Sequence, residues 1–209
     1  MTDNNYAFMV LILLALTACK ENQKKSVETS GEEKQVNKTL NESTIGKISE
    51  GKVASFEIGD KIPQNIKKYQ IQQKEQTRYT EGGPVKEVIY ILSKEGEKHL
   101  VLKPEFDPST KSYNQTIAEI FVFSEKYKTA ENIGVGSTLT EFSKAYPDFK
   151  IWYTYVSDRY VAENSNSSIQ FLLNEKDFKG NIQPEEVKVP LQLDDFSEGA
   201  KISKIRIYQ

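Results

Sequence analysis

The chain holds one cysteine, Cys19, and one histidine, His99. A zinc site of the usual kind draws on several cysteines and histidines, so none is expected. His99 falls in the strand-like run Lys98-His99-Leu100-Val101-Leu102. A single histidine there is expected as a surface or edge residue rather than as a base. Asp107-Pro108-Ser109-Thr110-Lys111 opens like an acidic calcium loop. It lacks the glycine such a loop needs, and Ala118 stands at the twelfth position, so the segment reads as a turn. Glu185-Glu186 and Asp194-Asp195 are carboxylate pairs adjacent in sequence. Neighbours on a strand point to opposite faces, so neither pair is placed for acid–base work. Gly134-Val135-Gly136-Ser137 lacks the lysine of a phosphate-binding loop. No catalytic residue, cofactor site or metal site is therefore expected.

The run Ile151-Trp152-Tyr153-Thr154-Tyr155-Val156, with Tyr160 just after it, contains the only tryptophan. On a strand, Tyr153 and Tyr155 share one face, while Trp152, Thr154 and Val156 share the other. If one of those faces is solvated, Trp152, Tyr153, Tyr155 and Tyr160 form an aromatic interface. If both are covered, they form a cross-strand ladder in or beside the core.

Cys19 ends a short greasy segment. From Tyr6 to Ala18 nearly every residue is apolar. That length suits the central region of a secretory signal and falls short of the roughly 20 residues that span a bilayer. Leu16-Thr17-Ala18-Cys19 resembles the lipobox of bacterial lipoproteins. The resemblance implies a diacylglycerol on the Cys19 sulfur, cleavage just before it and acylation of the new amine. Membrane attachment would then run through lipid on Cys19. Met1–Asn5 carries no Lys or Arg, unlike a typical signal, which a start codon further upstream would explain. Lys20 follows the cysteine where an aspartate would resemble an inner-membrane retention signal, which favours the outer membrane in a Gram-negative cell.

After Cys19 the composition turns polar up to about Thr44, with Val27, Val36 and Leu40 isolated. Such a stretch cannot bury enough apolar surface to offset its ordering entropy. It is expected to be a flexible tether, and its five Lys balance its five Glu. The expected organisation is a signal peptide over 1–18, lipidated cysteine and tether over 19–44, and one domain over 45–209. The whole chain has 28 basic and 30 acidic side chains. That balance offers no concentrated basic character for nucleic acid.

The domain reads as two repeats, about 51–124 and 129–209. Ile58-Gly59-Asp60-Lys61-Ile62 through Tyr69 resembles Val135-Gly136-Ser137-Thr138-Leu139 through Tyr146. Ile117–Phe123 resembles Ile202–Tyr208 in the same way. Each repeat is expected to open with a short helix. Thr138 with Glu141 forms a capping-box pattern, and Leu139, Phe142 and Tyr146 recur at helical spacing. Asp60 is the matching cap, with Pro63 in the first turn. Alternation predicts strands at 69–79, 86–93, 98–103, 116–123, 149–156, 159–163, 168–174 and 201–208. The expected class is α+β, two helix-plus-antiparallel-strand repeats forming a sheet packed by short helices.

The block Ile120–Tyr146, with Thr129, Ile133, Val135-Gly136-Ser137 and Lys144-Ala145-Tyr146, and the closing Ala200–Ile205, resemble a family of small bacterial envelope lipoproteins. That family is associated with the envelope-stress sigma factor, and the resemblance implies no catalytic residue. Gly-x-Ser/Thr followed by a short helix and strands is similar to the repeats of β-lactamase inhibitor protein. It is also similar to a small outer-membrane-assembly lipoprotein, and both of these bind proteins through a sheet face. Taken together, a lipid-anchored, non-enzymatic envelope protein with a protein partner is expected. A small-ligand carrier or an envelope hydrolase are the alternatives.

Overall fold

The computed structural model describes residues 46–80, 83–182 and 187–209, with the backbone alone for 78–80. The leader, Cys19, the tether and Glu185-Glu186 lie outside the described residues. The described residues all fall within one unit.

Three two-residue strands come first: β1 (Ile48–Ser49), β2 (Lys52–Val53) and β3 (Phe56–Glu57), which pair antiparallel as a small sheet. A long meander follows, of β4 (Gln70–Thr80), β5 (Gly83–Lys94), β6 (Glu97–Asp107) and β7 (Ser112–Val122). Helix α1 (Leu139–Ala145) then leads into β8 (Phe149–Thr154), β9 (Arg159–Asn164) and β10 (Ile169–Leu173). The chain closes with β11 (Lys188–Leu191) and β12 (Ile202–Ile207). The large sheet is antiparallel throughout and has nine strands in the order β11-β8-β9-β10-β12-β7-β6-β5-β4. The two meanders therefore meet at their last strands. Ile205 lies opposite Val122, Arg206 opposite Phe121 and Ile207 opposite Ile120.

The expected α+β class is corrected: the fold is mostly β, and α1 is the single α-helix among the described residues. The expectation of a helix in each of two repeats falls with it. The reason is local. Gly59 and Gly136 both adopt positive φ, +92° and +82°, where glycine is at ease. Each then leads a strand-like bridge onto the closing strand of its half. Gly59 N–H donates to Ile117, Ile117 N–H to Asp60, and Ile62 N–H to Gln115. The same pattern joins Gly136 to Ile202, Ile202 to Ser137 and Leu139 to Ala200. Beyond this point the chemistry diverges. Thr138 Oγ1 accepts from Glu141 N–H at 3.1 Å, and Glu141 Oε2 accepts from Thr138 N–H at 2.7 Å, a closed capping box. Counting on from the matched glycines, Lys61 stands where Thr138 does and has no side-chain oxygen to cap with. Asn65 stands where Phe142 does; Asn65 is exposed, whereas Phe142 is fully buried. Without a cap or an apolar anchor the segment after Ile62 stays in turns, since short helices depend on packing for stability.

Alternation along the strands divides the large sheet into two faces. One is covered by α1, by β1–β3 and by the segments carrying Phe178 and Phe196. There Leu92, Leu102, Ile120, Phe171 and Ile205 pack with Phe142 and Val53 into the main core. Each such side chain contributes roughly 1.5–3 kcal/mol on burial. The other face is the open one.

Candidate functional site

The open face carries a second apolar cluster made only of strand residues: Ile89, Val101, Phe121, Trp152, Val161 and Leu172, with Ile91 and Phe123 beside them. No described helix or second sheet lies over it. The cluster is instead shielded by long cationic side chains lying across its rings. Lys98 Nζ sits 3.5 Å from the Phe123 ring centre, and Lys188 Nζ sits 4.0 Å from that of Trp152. Phe121 has Lys103 Nζ at 5.2 Å and the Arg159 guanidinium at 5.7 Å. The alkyl stems cover apolar surface while the charged heads stay at the rim of water, and each cation gains from the ring it faces.

Strand register explains how residues far apart in sequence reach this face. Lys204 on β12 lies opposite Leu172 on β10, and Lys103 on β6 opposite Glu119 on β7. Lys74 on β4 lies opposite Ile89, and Lys150 on β8 opposite Glu163. By alternation the carboxylates on the face include Glu87, Glu105, Glu119 and Glu163. Two of them are taken up locally. Glu87 is buried and accepts from Lys103 Nζ at 2.5 Å and Gln76 Nε2 at 2.7 Å. Glu119 pairs with Arg206. The remaining positive charge gathers at the centre. Burial, with Arg159, Lys98 and Lys103 nearby, holds the half-buried Lys204 amine below the usual lysine range. Burial, with Lys74 nearby, does the same to Lys98. Like charges brought together on a half-dry surface suit a site for negative charge.

At the β8–β11 edge the face dips into a hollow of about 520 Å³, lined by Lys150, Trp152, Glu163, Lys188 and Pro190 among others. The Trp152 indole N–H is buried there without a hydrogen-bond partner.

The expected aromatic residues are split between the faces. Trp152 lies on the open face beneath Lys188. Tyr153 and Tyr160 turn to the covered face, their ring centres 4.9 Å apart, and Tyr160 packs on Phe178 and Phe196. Tyr153 donates its hydroxyl to Asp158 Oδ1 at 2.6 Å. β8 ends at Thr154, so Tyr155 stands past the strand, half-exposed, edge-on to Tyr153 at 4.9 Å. Tyr153 and Tyr160 therefore belong to a covered aromatic ladder rather than to an open interface.

His99 corrects a second expectation. It is not a surface or edge residue: it is 2 % exposed, with edge-on rings of Tyr69 and Tyr127 at 6.0 and 6.1 Å. Its two ring nitrogens have no hydrogen-bond partner. The cause is an irregularity in β6: Leu92 pairs with Leu100, but Ser93 pairs with Lys98, so His99 is the extra residue and turns inward. Asp107 closes a turn as expected, accepting from Ser109 N–H at 2.8 Å. Asp195 accepts from Gln192 N–H at 2.7 Å as a local cap.

The central cations were missed from sequence. Lys98 and Lys204 are brought near each other by the β7–β12 pairing, a contact no local pattern encodes. The usable signal was alternation alone: Lys204 and Arg206, or Arg159 and Val161, mark a charged face interleaved with apolar positions.

No family model matches this chain, and no curated protein matches it. Among solved structures, the crystal structure of the uncharacterized protein yfeY from Escherichia coli is similar, with 16% sequence identity and a TM-score of 0.43. The alignment covers 68% of this chain and 82% of that one.

Proposed function

We propose that this chain is a lipid-anchored protein of the bacterial cell envelope that works by binding rather than by catalysis. The observation that carries the reading is the open face: an apolar cluster on a nine-stranded sheet, overlain by cations and left without a covering layer among the described residues. A sheet face that carries cations over buried rings and has no covering layer is suited to meeting a partner of opposite charge. The lipobox-like Leu16–Cys19 supports the anchor and the envelope location. The resemblance of Ile120–Tyr146 to stress-associated envelope lipoproteins supports a maintenance role.

The test is photo-crosslinking in the native envelope, with a reactive amino acid at Phe123 on the open face and at Lys144 on α1. Adducts at Phe123, whether to protein or lipid, with none at Lys144, are the expected result. A chain that forms none at Phe123 overturns the reading.

The hollow beside Trp152 favours a second reading, a carrier of a small amphiphile. A bound small molecule released on denaturing the purified native protein would support it.

A further inference from the structure

We propose that the open face docks on an anionic lipid leaflet, with phosphate headgroups seated on the cationic patch centred on Lys98 and Lys204. The inference rests on the reading above that this face is the working surface.

Charge is its first support. The chain as a whole carries a net charge of −2, yet on this face cations outnumber carboxylates. Lys103 and Arg206 are each paired with a carboxylate. Arg159, Lys98 and Lys103 gather around Lys204.

Shape is the second. The positive groups run from Lys188 on one edge strand to Lys74 on the other. Nine strands at about 4.8 Å spacing span roughly 38 Å. A single small anion would occupy only a corner of that width. Lys98, Lys103 and Lys188 each sit over a different ring, Phe123, Phe121 and Trp152, so the charge is spread along the face. Charge spread over that width matches an array of headgroups better than one small anion.

The chemistry at the centre separates lipid from protein. Cores of protein–protein interfaces are depleted in lysine. Here lysines occupy the centre and keep the apolar rings beneath them sealed, with Phe121 and Val161 buried. Such a surface rests on phosphates and does not insert. Each Lys or Arg held near an anionic leaflet adds a modest attraction. Lipid on Cys19, as proposed above, would supply the remainder by holding the domain at the membrane. A lipid-anchored domain therefore stays within reach, and weak headgroup contacts suffice.

The unit can be assayed without its anchor, because its core runs from Ile48 to Ile207 within the described residues. A chain starting at residue 39 is sedimented with vesicles of phosphatidylcholine alone, and with vesicles of phosphatidylcholine and phosphatidylglycerol in equal parts. Binding to the second only, relieved by salt, is expected. Lys98→Glu with Lys204→Glu should weaken it at least about tenfold, while the variant keeps a cooperative thermal transition. Lys144→Glu on α1 should leave it unchanged. No binding to the anionic vesicles, or binding indifferent to the double substitution, overturns the proposal. Binding to polyglutamate but not to the vesicles would replace the lipid with an acidic polypeptide and leave the proposed function standing. The Phe123 crosslink fails only if the face binds nothing, so the two failures are distinguishable.

Discussion

Arg206 holds Glu119 across the junction of the two meanders through a two-pronged contact, Nη2 to Oε1 at 2.8 Å and Nε to Oε2 at 3.1 Å. Its third nitrogen, Nη1, reaches Gln170 Oε1 at 3.1 Å on the opposite neighbour strand. One side chain thus ties β10, β12 and β7 on the open face. The fork geometry is specific to arginine.

Arg206→Lys keeps the charge and loses the fork. Both partners are about a quarter exposed, so the cost is screened and modest, about 1 kcal/mol. Urea titration measures it. An unchanged midpoint would show that the contact adds nothing.

His99 makes the fold sensitive to mild acid. In the unfolded chain it takes up a proton near its ordinary value of about 6.5. In the folded chain burial, with Lys126 nearby, holds its pKa lower. As pH falls through the unfolded value toward the folded one, the unfolded state binds the extra proton and stability drops. His99→Phe keeps a ring between Tyr69 and Tyr127 and removes that proton. Between about pH 7 and 5.5 the wild-type urea midpoint should fall, and that of the variant should stay flatter. Glu50, Glu131 and Glu141 have lowered values, so their contributions are lost only below this window. Parallel slopes for the two proteins would contradict the assignment.

Phe142 anchors α1. Its ring is fully buried, with ring centres of Phe171 at 4.8 Å and Tyr146 at 5.0 Å. Phe142→Ala should cost about 3–5 kcal/mol. Thr138→Ala opens the capping box and should cost about 1 kcal/mol. Chemical denaturation gives both, and equal losses would mean that the helix is held by its cap rather than its packing.

Lipidation is checked directly in cells. Cys19→Ser should leave an unprocessed precursor that takes up no labelled palmitate. A normally matured, acylated variant would remove the anchor from the proposed function.

The long strands were legible because period-two alternation survives wherever one sheet face is drier than the other. Seven of the expected strands end within a few residues of β4, β5, β7, β8, β9, β10 and β12. β6 runs on past the predicted 103 to Asp107, through Pro104 and an irregular pairing that alternation cannot anticipate. β11 carries Pro190 and went unseen, since proline is tolerated there only because the strand lies at the edge. The absent first helix had misleading periodicity. Ile62, Ile66 and Tyr69 are spaced as on one helix face, but Lys61 and Asn65 supply neither cap nor anchor. His99 was misplaced because an extra residue in a strand reverses which side faces inward. The cationic patch depends on strand order across the two halves, a property of the assembled sheet and not of any segment.

An open sheet must end somewhere, and β4 is where this one does. Among the described residues no strand pairs with its outer side. From Gln70 to Thr77 the only apolar side chain on it is Ile71, with Lys74 and Glu75 at the middle. Unpaired backbone groups along an exposed strand are a template for stacking copies of the same chain, and charge there discourages it. A rim of glutamine, lysine and glutamate lets this sheet reach high local concentration without growing into a fibre.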